Sequence, residues 1–424
     1  MKEEYLHYLW QNKRLPFQKF KLTDGRDVDI INVGWLNYDS GPDFFNGNVS
    51  IDGINWTGNI EIHVKSSDWY AHKHQNDKAY ENVILHVVLE NDRDVYIKDN
   101  KLPTIELKDF IDYEHFKKYE KLVRSNLKRP CANFDVPLDL YKTQINNALF
   151  QRLNRKANWL NQKSELKKDT LKQTLFTSIC VAFGGRINKL PFTTLAQNID
   201  VKILLREAWD RNRVEALLFG IAGFLEEIST ENTSDEYTLL LKKEFNLLKR
   251  KYNLYVMDRV AWKFSGVRPP SFPTLKIAQL AALIFHWKLE WTKEFKTDLL
   301  NDKLNFKNIE VSEYWKSRYR FGESGKIRKG KLGKSLVSKI LINGFAPFLY
   351  LEAMKTNKFD YVSRVDDLLQ NLKPENNYIT RSWSNQGVIP EDAAESQGMI
   401  ELSNEFCNFR RCLSCKVGQF TMKK

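Results

Sequence analysis

Residues 41–65 read Gly41-Pro42-Asp43-Phe44-Phe45-Asn46-Gly47-Asn48-Val49-Ser50-Ile51-Asp52-Gly53-Ile54-Asn55-Trp56-Thr57-Gly58-Asn59-Ile60-Glu61-Ile62-His63-Val64-Lys65. Two strands, 43–51 and 57–65, are expected here, with Asp52-Gly53 and Asn55 supplying the turn chemistry between them. Side chains alternate across a strand, so Glu61, His63 and Lys65 share one face while Ile60, Ile62 and Val64 take the other. The hairpin brings Asp43 toward Glu61. Two carboxylates and an imidazole converging at a strand end can hold a divalent cation, and a nearby lysine can orient a water or steady charge developing on a phosphate.

The residues that follow extend this pattern. His72 and His74 lie directly after the second strand in Asp68-Trp69-Tyr70-Ala71-His72-Lys73-His74, the densest histidine cluster of the chain. Neutral imidazole is a common metal ligand, so a metal or phosphate role is open to the pair, beside the plainer reading of exposed loop histidines. His86 sits in the apolar run 83–89 and reads as a hydrogen-bonded core residue.

Pro42-Asp43 and Lys65 resemble the PD-(D/E)-x-K nuclease superfamily over roughly the first quarter of the chain. The resemblance implies a restriction-endonuclease-like core, a magnesium or manganese ion and phosphodiester cleavage. Asp43 would bind the metal and Lys65 would assist the attacking water. The chain departs from the pattern where His63 fills the acidic slot and Glu61 stands two residues earlier. A glutamate from the first helix often joins such sites, which points to Glu4. The Gln-and-Tyr element of some branches falls on 75–80.

Three cysteines, Cys407, Cys412 and Cys415, are spaced C-x4-C-x2-C near the C-terminus. Thiolates so close together suit zinc or an iron–sulfur cluster, with Cys131 as the fourth ligand. Cys180, in the apolar run 176–183, reads as core. One upstream cysteine with three near the end resembles the iron–sulfur staple of some helicase-linked and CRISPR-associated PD-(D/E)-x-K nucleases. In those enzymes the nuclease motifs lie between the first cysteine and the last three, whereas 43–65 precedes Cys131.

Composition bounds the rest. The 424 residues carry a net charge of +13, and 42% are hydrophobic, ample for two or three packed domains. Such basicity leans toward an anionic partner, nucleic acid above all. The most basic stretch, 316–334, interleaves its cations with Tyr314, Trp315, Tyr319 and Phe321, so Arg328 and Lys331 are candidate phosphate contacts. Arg268 and Lys276 flank a proline-stiffened helix entry and are candidates on the same ground. Gly333-Lys334-Ser335 lacks the glycine a phosphate-binding loop needs, Arg328 standing in its place, so ATP hydrolysis is disfavoured. The N-terminus lacks the apolar core of a secretory signal and no apolar run approaches about 20 residues, so no membrane partner and a cytoplasmic location are expected.

Beyond residue 112 the hydrophobic period changes from 2 to helical. Helices are expected at 168–183, 201–209, 212–228, 235–250, 274–290 and 335–354. The reading is therefore α+β. A mixed β-sheet with flanking helices spans 1–112, a mainly helical domain spans 113–400, and a cysteine-rich segment, 401–424, packs on the helical domain. Along its whole length the chain resembles a bacterial family known by a domain-of-unknown-function label. The matching blocks are residues 3–10, 41–44, 60–69, 83–88 and 268–273 with the terminal cysteines. The leading expectation is a metal-dependent nuclease or nuclease-derived protein. A nucleic-acid-binding or scaffold protein without chemistry is the alternative, and a small-molecule metalloenzyme built on the histidines is a third reading.

Overall fold

The computed structural model describes residues 1–17, 20–37, 39–167, 170–226, 235–287, 306–357 and 359–423. The chain is α+β and divides into two compact units, 1–140 with 405–424, and 141–404. The division thus falls beyond the expected boundary at 112. The cysteine-bearing end groups with the sheet unit, not with the helical region on which it was expected to pack. The cause is local to the sheet unit, where the C-terminal helix Lys416–Lys423 packs against helix Tyr113–Val123. The Arg410 guanidinium also donates to the Ser125 carbonyl at 2.8 Å.

The sheet unit opens with α1 (Glu3–Gln11), then β1 (Val28–Asn32), β2 (Trp35–Leu36), β3 (Phe44–Ile51) and β4 (Ile54–Lys65). A short helical turn, α2 (Asp68–Ala71), leads to β5 (Val83–Glu90), the small hairpin β6 (Tyr96–Ile97) and β7 (Asn100–Lys101), and β8 (Thr104–Glu106). The main sheet runs β1-β3-β4-β5-β8, with β2 on the edge of β3. Pairing is antiparallel from β1 to β4 and parallel from β4 through β5 to β8, so the sheet is mixed as expected. The β3–β4 turn places Asp52 at φ 48° and Gly53 at φ 80°, the positive pair that a two-residue type I′ hairpin demands. α1 packs on β4 and buries Tyr5, Leu6 and Trp10 completely, with Phe44, Ile60 and Leu85 beneath.

One irregularity in this sheet positions the site. From Ile51↔Ile54 to Gly47↔Gly58 the register is regular, but a bulge then sets Phe44 opposite Ile60. Asn46 takes φ 54° at that bulge. Without it Phe44 would oppose Glu61. The one-residue shift places Asp43 across from Glu61 and so on the same face, because a slip of one residue exchanges faces.

The second unit is a helical assembly around one apolar core. Helices Leu171–Gly184, Arg211–Ile221 and Pro273–Trp287 are largely buried, and Cys180 lies within the core as read from sequence. Gly220 lets helix Arg211–Ile221 lie against Phe245 so closely that an added Cβ would stand 2.1 Å from the ring. Each expected helix has a counterpart, but those expected at 201–209 and 212–228 end early, at Arg206 and Ile221, and that at 335–354 passes through a π-helical turn, Leu341–Phe345; positions 168–169, 227–228 and 288–290 lie outside the described residues. The run Lys334–Thr356 is long and apolar enough to cross a membrane by length and composition, against the expectation from sequence. Its side chains are consumed by the core instead: Ile340, Phe345, Phe348 and Leu349 are all buried.

The basic stretch 316–334 also differs from its expectation. Its rings do not face outward, since Trp315 is fully buried and packs with Phe219 and Phe321. Arg328 donates to the Trp315 and Arg318 carbonyls and stacks over Tyr319. Lys331 stands 3.6 Å from Glu310. Cation and aromatic interleaving here is internal packing, because a loop with several unsatisfied carbonyls needs donors of its own.

Candidate functional site

Four backbone and side-chain contacts lace the carboxylates and histidines of the sheet unit together. The Asp43 N–H donates to Glu61 Oε2 at 3.0 Å, and the Ile62 N–H donates to Asp43 Oδ2 at 2.9 Å. His63 Nδ1 lies 2.8 Å from His86 Nε2, and His63 Nε2 lies 3.1 Å from His72 Nδ1. Glu61, His63 and His86 are all buried. The hairpin thus does what the sequence implied for Asp43, Glu61 and His63. His86 is the hydrogen-bonded core residue expected, and its partner is a site histidine.

The loop after β4 turns back over this face. Asp92 holds its start, accepting from Ser66 Oγ, Ser67 N–H and Ser67 Oγ at 2.8–3.1 Å. Between the two loop histidines Lys73 adopts φ 64°, a left-handed conformation unusual for a side chain with a Cβ. That reversal presents both rings to His63. Donor atoms of His63, His72 and His74 all lie within 4.8 Å of one another, the one group of this kind among the described residues. His74 is clamped between a stacked Tyr80, centroids 3.8 Å apart, and the edge of Trp69. Its Nε2 lies 3.3 Å from Glu61 Oε1 and has no hydrogen-bond partner among the described residues. That contact is satisfied by a proton on either group or by a cation between them.

The first helix contributes residues that the sequence reading missed. His7 Nε2 stands 3.1 Å from Asp43 Oδ2. Glu3, four residues earlier on the same face, lies within electrostatic reach of Asp43, His7 and His72. Glu4 is exposed and its charge is felt by Tyr119 and Cys412 instead. The glutamate that joins the site is therefore Glu3. Burial of Tyr5, Tyr8 and Leu9 fixes the helix phase and turns Glu4 away. An acid and a histidine spaced i, i+4 was the signal available in the sequence.

Lys65 is also placed differently from its motif role. It sits exposed at the end of β4, and its ammonium is 4.0 Å from Asp92. The basic group beside the carboxylates is His7. Burial opposes its charge, but Asp43 outweighs that and raises its pKa above the ordinary value. Burial, then Asp43's charge, pushes the Glu61 carboxyl up to about 9. Burial first, then the neighbouring imidazoles, drives His63 down to about 2, and burial drives His86 down to about 3. The buried imidazoles are thus in the neutral form that ligates a metal, whereas Glu61 favours its protonated form, whose proton a bound metal would displace.

All four cysteines of the expected cluster lie in the sheet unit, buried and free of disulfides. Burial raises the thiol of Cys407, pushes Cys412 up to about 12 and Cys415 to about 11. Cys131 adds to all three shifts, and Cys412 and Cys415 both add to that of Cys407. The Gly418 and Val417 amides donate to the Cys415 sulfur. Gly418 is required there, since a Cβ would stand 2.2 Å from the Cys412 carbonyl oxygen.

In the helical unit, Arg268 is exposed, while Lys276 is half-buried and donates to Gln279 Oε1 at 3.0 Å. Burial, then the charge of Lys339, lowers the Lys276 pKa to about 8. With Arg328 and Lys331 engaged within the basic stretch, the structure does not bring the four expected phosphate contacts together.

No curated protein and no solved structure matches the chain. The sequence profile of a family described as protein of unknown function (DUF2851) matches residues 3–378, which includes every histidine and carboxylate of the site. The chain belongs to that family.

Proposed function

We propose that the sheet unit is a metal-dependent phosphodiesterase acting on nucleic acid. The observation that carries this reading is the convergence of three imidazole donors within 4.8 Å beside the linked carboxylates Asp43 and Glu61. Imidazole-rich donors suit zinc, manganese or iron better than magnesium, which prefers oxygen ligands. A bound ion would act as a Lewis acid toward a phosphoryl oxygen and lower the pKa of a bound water. Asp43, Glu61, His63, His72 and His74 would hold it. His86 orients the His63 ring from behind, as second ligands commonly do. His7, kept more basic than usual by Asp43, donates a proton to the leaving oxygen. The net charge of +13 favours a polyanionic substrate.

The buried thiols of Cys131, Cys407, Cys412 and Cys415 form a second, structural metal site within the same unit. Among the described residues only the histidine group draws three donors within 4.8 Å. A single zinc would hold sulfurs about 3.8 Å apart, given Zn–S bonds of about 2.3 Å. The C-x4-C-x2-C spacing with a distant fourth thiol is read as an iron–sulfur cluster, in which iron and sulfide stand between the thiolates, ahead of a single zinc. Its role is to fasten residues 405–424 to the sheet unit.

The test is cleavage of labelled single- and double-stranded DNA and RNA with manganese, zinc or magnesium. Asp43→Ala and His74→Ala should each lower the rate by at least roughly 10–100-fold, the loss typical of disturbing even a ligand's outer partner. Lys65→Ala should retain most of it. Binding without cleavage under every metal would leave a nucleic-acid-binding module and defeat the proposal.

A further inference from the structure

The helical unit contains a cavity of about 510 Å³ whose wall carries six cations, Arg152, Arg155, Lys156, Arg186, Lys189 and Lys339, against one acid, Glu375. Its size is that of a small-ligand site. Behind the wall, buried Glu401 accepts from Arg152 NH1 at 3.0 Å and from both Arg155 Nε and NH2 at 2.9 and 2.6 Å. Gln397 Oε1 takes the Arg152 Nε proton and Gln397 Nε2 donates to Glu375. Arg152 and Arg155 are therefore held in fixed orientation by groups outside the cavity.

The remaining cations are not neutralised in this way. Lys156 donates to a neutral amide, Asn343 Oδ1, at 2.7 Å. Burial first, then the charges of Arg152 and Arg155, lowers its pKa well below the usual value. Lys189 lies 4.4 Å over the Trp159 ring, and burial followed by the same two arginines lowers its pKa too. Arg186 and Lys339 reach the cavity from its exposed rim. Folding has gathered these basic groups so closely that the charge of Lys156 is disfavoured, and an anion sharing the cavity would favour it again. A solvated basic face would spread these side chains apart.

We infer that this cavity binds the phosphate groups of a nucleotide, with Arg152, Lys156 and Lys189 as the contacts and Trp159 as a platform for the base. Guanidinium and ammonium groups together suit a polyphosphate, and a base would take the place of Lys189 over the half-buried indole as that ammonium turns to the phosphates. The site lies within residues 152–400 and stands independently of the chemistry proposed for the sheet unit. A free nucleotide and the phosphorylated end of a strand present the same chemistry.

Isothermal titration of the full chain in EDTA separates the two sources and leaves metal-dependent cleavage out of the measurement. The ligands are pyrophosphate, ATP, and a short oligonucleotide with either a 5′-phosphate or a 5′-hydroxyl. Binding of ATP or of the 5′-phosphorylated strand, tighter than pyrophosphate and weakened by salt, is expected; whichever of the two binds names the source. Lys156→Gln and the rim variant Lys189→Ala should each weaken it roughly ten-fold or more, as the loss of one charge-assisted hydrogen bond implies. Trp159→Ala should remove the advantage over pyrophosphate. Lys189 is exposed, so its variant tests the cavity without threatening the fold. No binding at millimolar ligand would overturn the inference. Equal binding of the 5′-hydroxyl and 5′-phosphorylated strands would leave the free nucleotide as the source, and ATP affinity unchanged in the lysine variants would overturn the inference by showing only general surface basicity.

Discussion

Glu61→Gln should stabilise the metal-free protein and at the same time abolish its response to metal. Glu61 is buried at 4% exposure, and its carboxyl is raised from 4.5 to about 9. An acid whose folded pKa is raised binds more protons folded than unfolded between those two values. Stability is therefore lost as pH climbs through that window, at up to about 1.4 kcal/mol per unit. At pH 7, 2.5 pH units above the unfolded value of 4.5, the wild-type cost is about 3 kcal/mol, up to about 3.4. Glutamine has the same shape and cannot ionise. Its oxygen can accept the Asp43 N–H, and its amide can donate toward His74 Nε2, which lies 3.3 Å from Glu61 Oε1. Denaturant unfolding of EDTA-stripped protein, followed by the fluorescence of buried Trp10 and Trp69, should show an advantage for the variant that grows from pH 5 to pH 8. Added manganese or zinc should stabilise wild type by about 2.7 kcal/mol at a hundred times the dissociation constant, and the variant by far less. A variant that is less stable than wild type at pH 8, or that keeps the full metal response, would refute the reasoning.

Three further outcomes follow from other parts of the molecule. His72 is exposed, so His72→Ala should change metal-free stability by no more than about 0.5 kcal/mol while reducing the metal-induced rise in melting temperature. Glu207 is buried; burial alone would raise its carboxyl, but Lys251, Tyr252 and Arg213 outweigh it and hold it down at about 2. Its contribution is thus present above the unfolded value near 4.5 and lost as pH falls toward 2, and Glu207→Gln should cost about 2–3 kcal/mol at pH 7 in equilibrium unfolding. Anaerobically purified protein should carry iron and sulfide with visible absorbance, and Cys415→Ser should lose both; zinc at about one per chain with no absorbance would instead favour a single-ion site.

Much of the sheet-unit site could be read from sequence because strand and turn rules act over few residues. Alternation assigned Glu61 and His63 to one face, and Asp52-Gly53 fixed a two-residue turn by its positive φ angles. The cysteine spacing pointed to Cys131, Cys407, Cys412 and Cys415 before any of them had a place. The C-terminal segment's partner depended on long-range packing, of helix Lys416–Lys423 against Tyr113–Val123 and of Arg410 on the Ser125 carbonyl.

Sequence by itself determined the α+β class, the hairpin and the residue types able to bind metal, since periodicity and turn preference are local properties. Only the tertiary structure decided which side chains meet. The bulge at Asn46 exchanged the face of Asp43, the left-handed Lys73 brought His72 and His74 onto His63, and core packing of α1 selected Glu3 and His7 over Glu4. The same burial turned the aromatic residues of 316–334 inward and gathered the cations of the helical unit around a cavity. These are outcomes of packing energy summed over distant residues, and no short stretch of the chain contains them.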